Sequence, residues 1–127
     1  MKINTHQFGE ITFEKENIVK FSSGLFGFEY LKNYLLIKTN EDLFYWLNSV
    51  EEPEISFPLV GVRVINPTFP EKENHEAFGI VTLNQDPLKV TVNLKAPVYI
   101  DQNSKTGYQL IIDEENFPVD YNLFIEN

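Results

Sequence analysis

From residue 89 to residue 100 the chain reads Lys89-Val90-Thr91-Val92-Asn93-Leu94-Lys95-Ala96-Pro97-Val98-Tyr99-Ile100. Val90, Val92 and Leu94 alternate with Thr91, Asn93 and Lys95, the period of two that turns one side of a strand to a core and the other to water. Pro97 carries no N–H, so pairing must be interrupted, bulged or at an edge there before Val98-Tyr99-Ile100 resumes the extended run. Comparable runs separated by turn residues recur at 3–8, 11–14, 17–21, 34–38, 43–48, 57–65, 77–83, 88–95, 97–100 and 108–112, a spacing that predicts a β-sandwich or small barrel. In the 43–48 run, Leu43, Tyr45 and Leu47 take one face and Phe44 and Trp46 the other, the pattern of a strand buried on both sides. The polar stretch 101–107, ending in Gly107, predicts an antiparallel hairpin between the strands that flank it.

Helix has little room, because proline falls at 53, 58, 67, 70, 87, 97 and 118 and interrupts most candidate windows. Short helical turns are expected at Glu29-Tyr30-Leu31-Lys32-Asn33 and, under an Asn cap, at Asn40-Glu41-Asp42. Many strands in a chain of 127 residues raise the problem of unpaired edges, which closure of the sheet removes. The expected fold is therefore all-β: one domain over residues 1–127, a small antiparallel and largely closed β-barrel with one or two short helical turns.

Composition narrows the chemistry. The eleven Phe and six Tyr suit a pleated, half-buried surface, and the absence of Cys removes disulfides, thiolate nucleophiles and sulfur-based zinc sites. The N-terminal residues contain no apolar secretory core and no stretch is long and apolar enough to span a bilayer, so a cytoplasmic protein is expected. A net charge of −9 with scattered lysines opposes binding to a polyanion, while acids gather at Glu51-Glu52-Pro53-Glu54, from Glu71 to Glu76, and at Asp113-Glu114-Glu115. Such clusters would steer a basic partner, and they would equally serve to keep a small protein soluble.

No catalytic pattern emerges. His75 with Glu71, Glu73 and Glu76 matches no zinc-binding spacing, the acids near 101 and 113 do not continue as a calcium loop, and the serines lack a nucleophile elbow. No catalytic, cofactor-binding or metal-binding residue is assigned. Two alternatives stay open: a single-stranded nucleic-acid-binding barrel of the OB type with Phe44-Tyr45-Trp46 as stacking platform, and a small hydrolase using paired carboxylates. In Ser22-Ser23-Gly24-Leu25-Phe26-Gly27-Phe28-Glu29 the two glycines permit positive φ, and they hold Leu25, Phe26 and Phe28 in a tight connection that either plugs the core or displays its aromatics.

Three segments together, Gly24-Leu25-Phe26-Gly27-Phe28-Glu29, then Phe44-Tyr45-Trp46-Leu47 with Glu51-Glu52-Pro53, then Val90-Thr91-Val92-Asn93-Leu94-Lys95-Ala96-Pro97, resemble the FliW family of flagellar assembly factors in order and spacing along nearly the whole chain. Phe26 departs from the usual Gly-Leu-Pro-Gly-Phe motif at the proline, and the 66–78 region is shorter than the usual family connection. The resemblance implies a non-catalytic, cofactor-free, barrel-like protein of the bacterial cytoplasm, monomeric when free. It implies two partners, flagellin and the RNA-binding repressor CsrA; FliW released by flagellin captures CsrA non-competitively and relieves repression of flagellin translation. Direct contact with nucleic acid or membrane is not expected. From charge clustering alone, the protein-binding surface is expected to combine Glu51, Glu52, Glu54, Asp113, Glu114 and Glu115 with Phe26 and Phe28. Gly24, Gly27, Asn93, Lys95 and Pro97 are read as structural, with Asn93 and Pro97 setting a bend.

Overall fold

The computed structural model describes residues 1–38 and 43–124. Ten strands appear in chain order: β1 (Lys2–Thr5), β2 (Gly9–Thr12), β3 (Ile18–Lys20), β4 (Asn33–Lys38), β5 (Tyr45–Ser49), β6 (Ser56–Gly61), β7 (Glu76–Thr82), β8 (Thr91–Asp101), β9 (Thr106–Gln109) and β10 (Tyr121–Asn122). β3 to β9 form a ring, β8-β7-β6-β5-β4-β3-β9, closed by a further pairing of β9 with β8. The expected closed barrel is observed. One pair departs from the antiparallel pattern: β3 and β9 run parallel, meeting at Lys20 and Thr106. The ring contains an odd number of strands, and directions cannot alternate all the way around such a ring, so one parallel neighbour is unavoidable.

That pair is short, and side-chain packing reinforces it. Lys20 N–H donates to Lys105 C=O at 2.9 Å, and the Phe21 ring lies so close over Gly107 that an added Cβ would be 2.4 Å from its Cζ.

Alternating residues divide the chain between two cores. Val19, Phe21, Tyr34, Leu47, Leu59, Phe78, Val98 and Ile100 come from successive strands of the ring and fill its interior with Leu25 and Leu31. Val60, Val62, Ala77, Val81, Val92, Leu94 and Tyr99 face outward from the β6–β8 side and are covered by Phe69 and Phe117, whose ring centroids are 4.9 Å apart. On the outer face of β5, Phe8 from the β1–β2 hairpin packs edge-on against Trp46 at 5.9 Å. Trp46 is only 7% exposed, so the 43–48 aromatics offer no open stacking face there.

β8 is a single bent strand where the sequence suggests two. Phe78 pairs with Val98 and Ile80 with Asn93, so the one residue Gly79 faces residues 94–97, a wide bulge. The bulge reverses the alternation. Val92 and Leu94 point to the outer core before it, whereas Val98 and Ile100 point into the barrel after it. Its amide groups are engaged: Asn93 Oδ1 accepts from the N–H groups of Lys95 and Ala96 at 3.0 Å each, and Leu94 N–H donates to Pro118 C=O. Pro97 contributes no donor that would need satisfying. Gly79 is the matching device opposite, since a Cβ there would lie 2.4 Å from Val92 Cγ2.

Other expectations shift. The 57–65 run stops being strand at Gly61, and Val62–Ile65 forms one helical turn (α1) closed by Asn66 N–H on Val62 C=O. Val62 is thereby buried in the outer core while Val64 is left 86% exposed. The 88–95 run begins as strand only at Thr91, because Asp86 caps a short 3₁₀ turn at Pro87–Lys89. The helical turn expected at 29–33 is instead a β-turn, with Leu31 N–H donating to Phe28 C=O, after which Asn33 enters β4. The turn expected at 40–42 lies outside the described residues. The 101–107 hairpin forms as expected, Asp101 opposite Thr106, with Asp101 Oδ1 accepting from the N–H groups of Asn103 and Ser104.

Gly107→Ala is expected to lower stability by about 2 kcal/mol, because the methyl group has no space beneath the Phe21 ring. Chemical denaturation measures this; an unchanged midpoint would contradict the packing described for the closing pair.

Candidate functional site

Strand direction sorts the connections between the two ends of the barrel. β3, β5, β7 and β9 finish at one end, where β4, β6 and β8 begin, so segments 21–32, 50–55 and 83–90 gather there. This rim contains the Gly-Leu-Phe-Gly-Phe motif and the first acidic cluster.

The motif both plugs and displays. Phe28 N–H donates to Leu25 C=O at 2.8 Å, which closes a β-turn with Phe26 and Gly27 as its central residues. Gly27 has φ +87°, the left-handed conformation that a type II turn demands at its third position and that glycine adopts without strain. Gly24 also has positive φ, and its bare Cα lies against the backbone of Glu29. Leu25 is buried in the barrel, and Phe28 packs edge-on against Phe57 at 5.0 Å. Phe26 at the turn's tip is 49% exposed.

The acids beside it differ in role. Glu51 reaches back across the rim: its carboxylate accepts from Lys32 N–H at 2.9 Å, Asn33 N–H at 3.0 Å and the Asn33 side-chain amide at 3.0 Å. Burial pushes the Glu51 carboxyl up, but these donors outweigh it and hold its pKa below the ordinary 4.5. Glu51 therefore clamps the entry to β4. Glu52 accepts from the Tyr30 hydroxyl at 3.0 Å, a bond that raises the tyrosine's pKa, and Glu54 is exposed. Tyr30 is 62% exposed, so the rim sets an exposed aromatic beside Glu52 and Glu54, with Phe26 exposed on the same connection. Tyr30 was not singled out in the sequence, although it follows the motif by two residues.

The second acidic cluster sits elsewhere. Leu110 N–H on Pro97 C=O and Ile112 N–H on Lys95 C=O extend the β8–β9 pairing past Gln109, and this run leads away from the rim to Asp113. Asp113 pairs with Lys95 at 3.6 Å, while Glu114 and Glu115 are exposed on the segment that covers the outer core. The structure thus brings Phe26, Phe28, Glu51, Glu52 and Glu54 together at the rim and leaves 113–115 on a neighbouring face. Gln109 joins the two family-like motifs. Its Oε1 accepts from Phe26 N–H at 2.8 Å and its Nε2 donates to Ala96 C=O at 2.9 Å. No sequence signal marks Gln109, because its partner at 26 is 83 residues away.

At the opposite end, Glu71, Glu73, His75 and Glu76 line a cleft of about 460 Å³ with Arg63 and Lys72. Burial raises the Glu76 carboxyl, Glu71 is ion-paired to Arg63, and His75 Nδ1 is 2.7 Å from Glu73 C=O. Among the described residues no three His, Asp or Glu side chains are placed to hold a metal ion. Among the described residues no helix is long and apolar enough to cross a membrane.

The architecture is that of a small closed β-barrel with exposed aromatic and acidic side chains at one rim. The model of the family described as "FliW protein" matches residues 2–72 and 68–123, the two segments meeting in the connection between β6 and β7. A flagellar assembly factor FliW of Caldicellulosiruptor saccharolyticus is 35% identical over 96% of this chain and 90% of its own length, and one of Clostridium tetani is 31% identical over 99% and 97%. A crystal structure of the flagellar assembly factor FliW superimposes with a TM-score of 0.90 at 27% identity, covering 99% of both chains. The chain belongs to the FliW family of flagellar assembly factors.

Because the folded-state pKa of Glu51 is lowered, its stabilising effect is complete above the ordinary 4.5 and is lost as pH falls through the lower folded value. Glu51→Ala should cost about 1 kcal/mol at neutral pH, and the deficit should vanish in acid; denaturation at several pH values measures both.

Proposed function

We propose that this chain is a non-catalytic, cytoplasmic regulator that binds flagellin and, once flagellin has left, sequesters a CsrA-type repressor and so restores flagellin translation. One observation carries the reading: at the rim exposed Tyr30 is hydrogen-bonded to Glu52 and lies near Glu54, and the turn that precedes it exposes Phe26 at its tip. Aromatic residues with a polar surround suit a protein interface, and the carboxylates suit a partner whose own surface is basic enough to hold RNA. Membership of the FliW family supports the flagellar setting.

The physical mechanism follows from charge. With a net charge of −9, the barrel docked beside an RNA path would repel the phosphate backbone without covering the base contacts, which makes the antagonism non-competitive. Capture of the basic partner weakens as salt rises, since exposed charges are screened over about 8 Å at physiological ionic strength. The chain does not bind nucleic acid itself, and it acts as a monomer until a partner arrives.

Glu51 is excluded from the test surface because it holds the backbone. Glu52→Lys with Glu54→Lys is expected to weaken binding of purified CsrA about tenfold or more, roughly 1.4 kcal/mol, and to flatten its dependence on salt. Titration calorimetry at several salt concentrations reads both quantities. Wild-type affinity and salt slope in this variant would remove the first acidic cluster from the interface, and failure of the wild-type chain to bind either flagellin or CsrA would remove the proposal.

A further inference from the structure

We infer that Gln109 is a positioning residue for the Phe26 contact, an inference that rests on the proposed partner-binding role of the rim. The turn tip is held from outside its own sequence. Within the turn, one backbone bond joins Phe28 to Leu25, and Glu29 Oε2 approaches Gly27 N–H at 3.3 Å. The N–H of Phe26 itself is satisfied by Gln109 Oε1 at 2.8 Å. Gln109 is half-buried at the end of β9, and the other end of its amide donates to Ala96 C=O in the bulge of β8. One amide group therefore bolts a surface turn to the most constrained stretch of the barrel wall.

This matters because Phe26 is the exposed aromatic of the turn. A phenyl ring about half in water contributes more to binding when the backbone that carries it is already ordered, because association otherwise meets the entropy of ordering it. The Gln109 side chain lowers that penalty by holding the peptide that carries the ring. The same geometry gives meaning to the residue type. A proline at position 26 suits the second position of a type II turn but has no N–H, so it could not be held in this way. Phe26 and Gln109 form a matched pair.

The test uses the full chain with Gln109→Ala, Gln109→Met and Phe26→Ala. Met keeps the length and volume of Gln109 without its hydrogen bonds, so it guards against a fold lost to a cavity. Two measurements are made: affinity for purified flagellin and purified CsrA, and amide hydrogen exchange at Phe26 by NMR. The expected result is selective loss of protection at Phe26 while barrel amides are unchanged. It is accompanied by a fall of about three- to tenfold in affinity for whichever partner Phe26→Ala also weakens, the size expected for the entropy of ordering one side chain on binding. Combining either Gln109 variant with Phe26→Ala should add no further loss of affinity, because nothing remains to be positioned. Wild-type affinity in both Gln109 variants, with Phe26→Ala weakened, would overturn the inference and leave the rim reading standing. Unchanged binding in Phe26→Ala would overturn the inference together with the aromatic half of the proposed surface.

Discussion

One strand has to serve three neighbours, and the barrel closes only because it bends. β8 pairs with β7 along its length, with β9 at one end and with β10 at the other. A straight, regularly alternating strand would send the same parity of side chains to one face throughout. The bulge at 94–97 breaks that rule, so Val92 and Leu94 serve the outer core and Val98 and Ile100 the inner one. The cost of interrupting a ladder is unmet backbone groups, and here Asn93 and Pro118 supply acceptors to the amides of residues 94–96 while Ile112, Gln109 and Leu110 supply donors to the carbonyls of residues 95–97.

The rim inherits its order from this wall. Gln109 hangs the 24–28 turn on the Ala96 carbonyl, and Glu51 ties the start of β4 to the β5–β6 connection. The acids that the sequence groups together consequently divide by function. Glu51 is consumed by backbone donors, Glu52 holds Tyr30, and Glu54 faces solvent, so charge alone overstates how much of the cluster a partner can meet. The family to which the chain belongs is defined along nearly its full length, in keeping with a barrel whose two motifs are physically joined.

Much of the fold is legible in the residues because burial and alternation are local signals. Val90, Val92 and Leu94 announce a strand, Pro97 announces its interruption, and the polar 101–107 stretch announces a hairpin. What the residues conceal depends on partners distant in the chain. Val62-Arg63-Val64-Ile65 has the composition of a strand, yet it curls into a turn of helix that buries Val62 against the outer core. The glycine-bounded aromatic turn is readable at the site, since positive φ calls for glycine. The clamp by Glu51 and the bolt by Gln109 are not, because nothing local distinguishes a carboxylate or amide that will find its donor or acceptor across the sheet.

The parallel junction of β3 with β9 has a further implication for how the molecule moves. Every other joint in the ring is stitched by at least three residue pairs, whereas this one has a single pair at Lys20 and Thr106 and relies on an aromatic ring pressed onto bare glycine. A cylinder with one thin seam parts there at the lowest free energy, and the remaining strands can stay paired as an open, curled sheet. Breathing of this barrel is therefore directional: it begins beside the root of the aromatic turn.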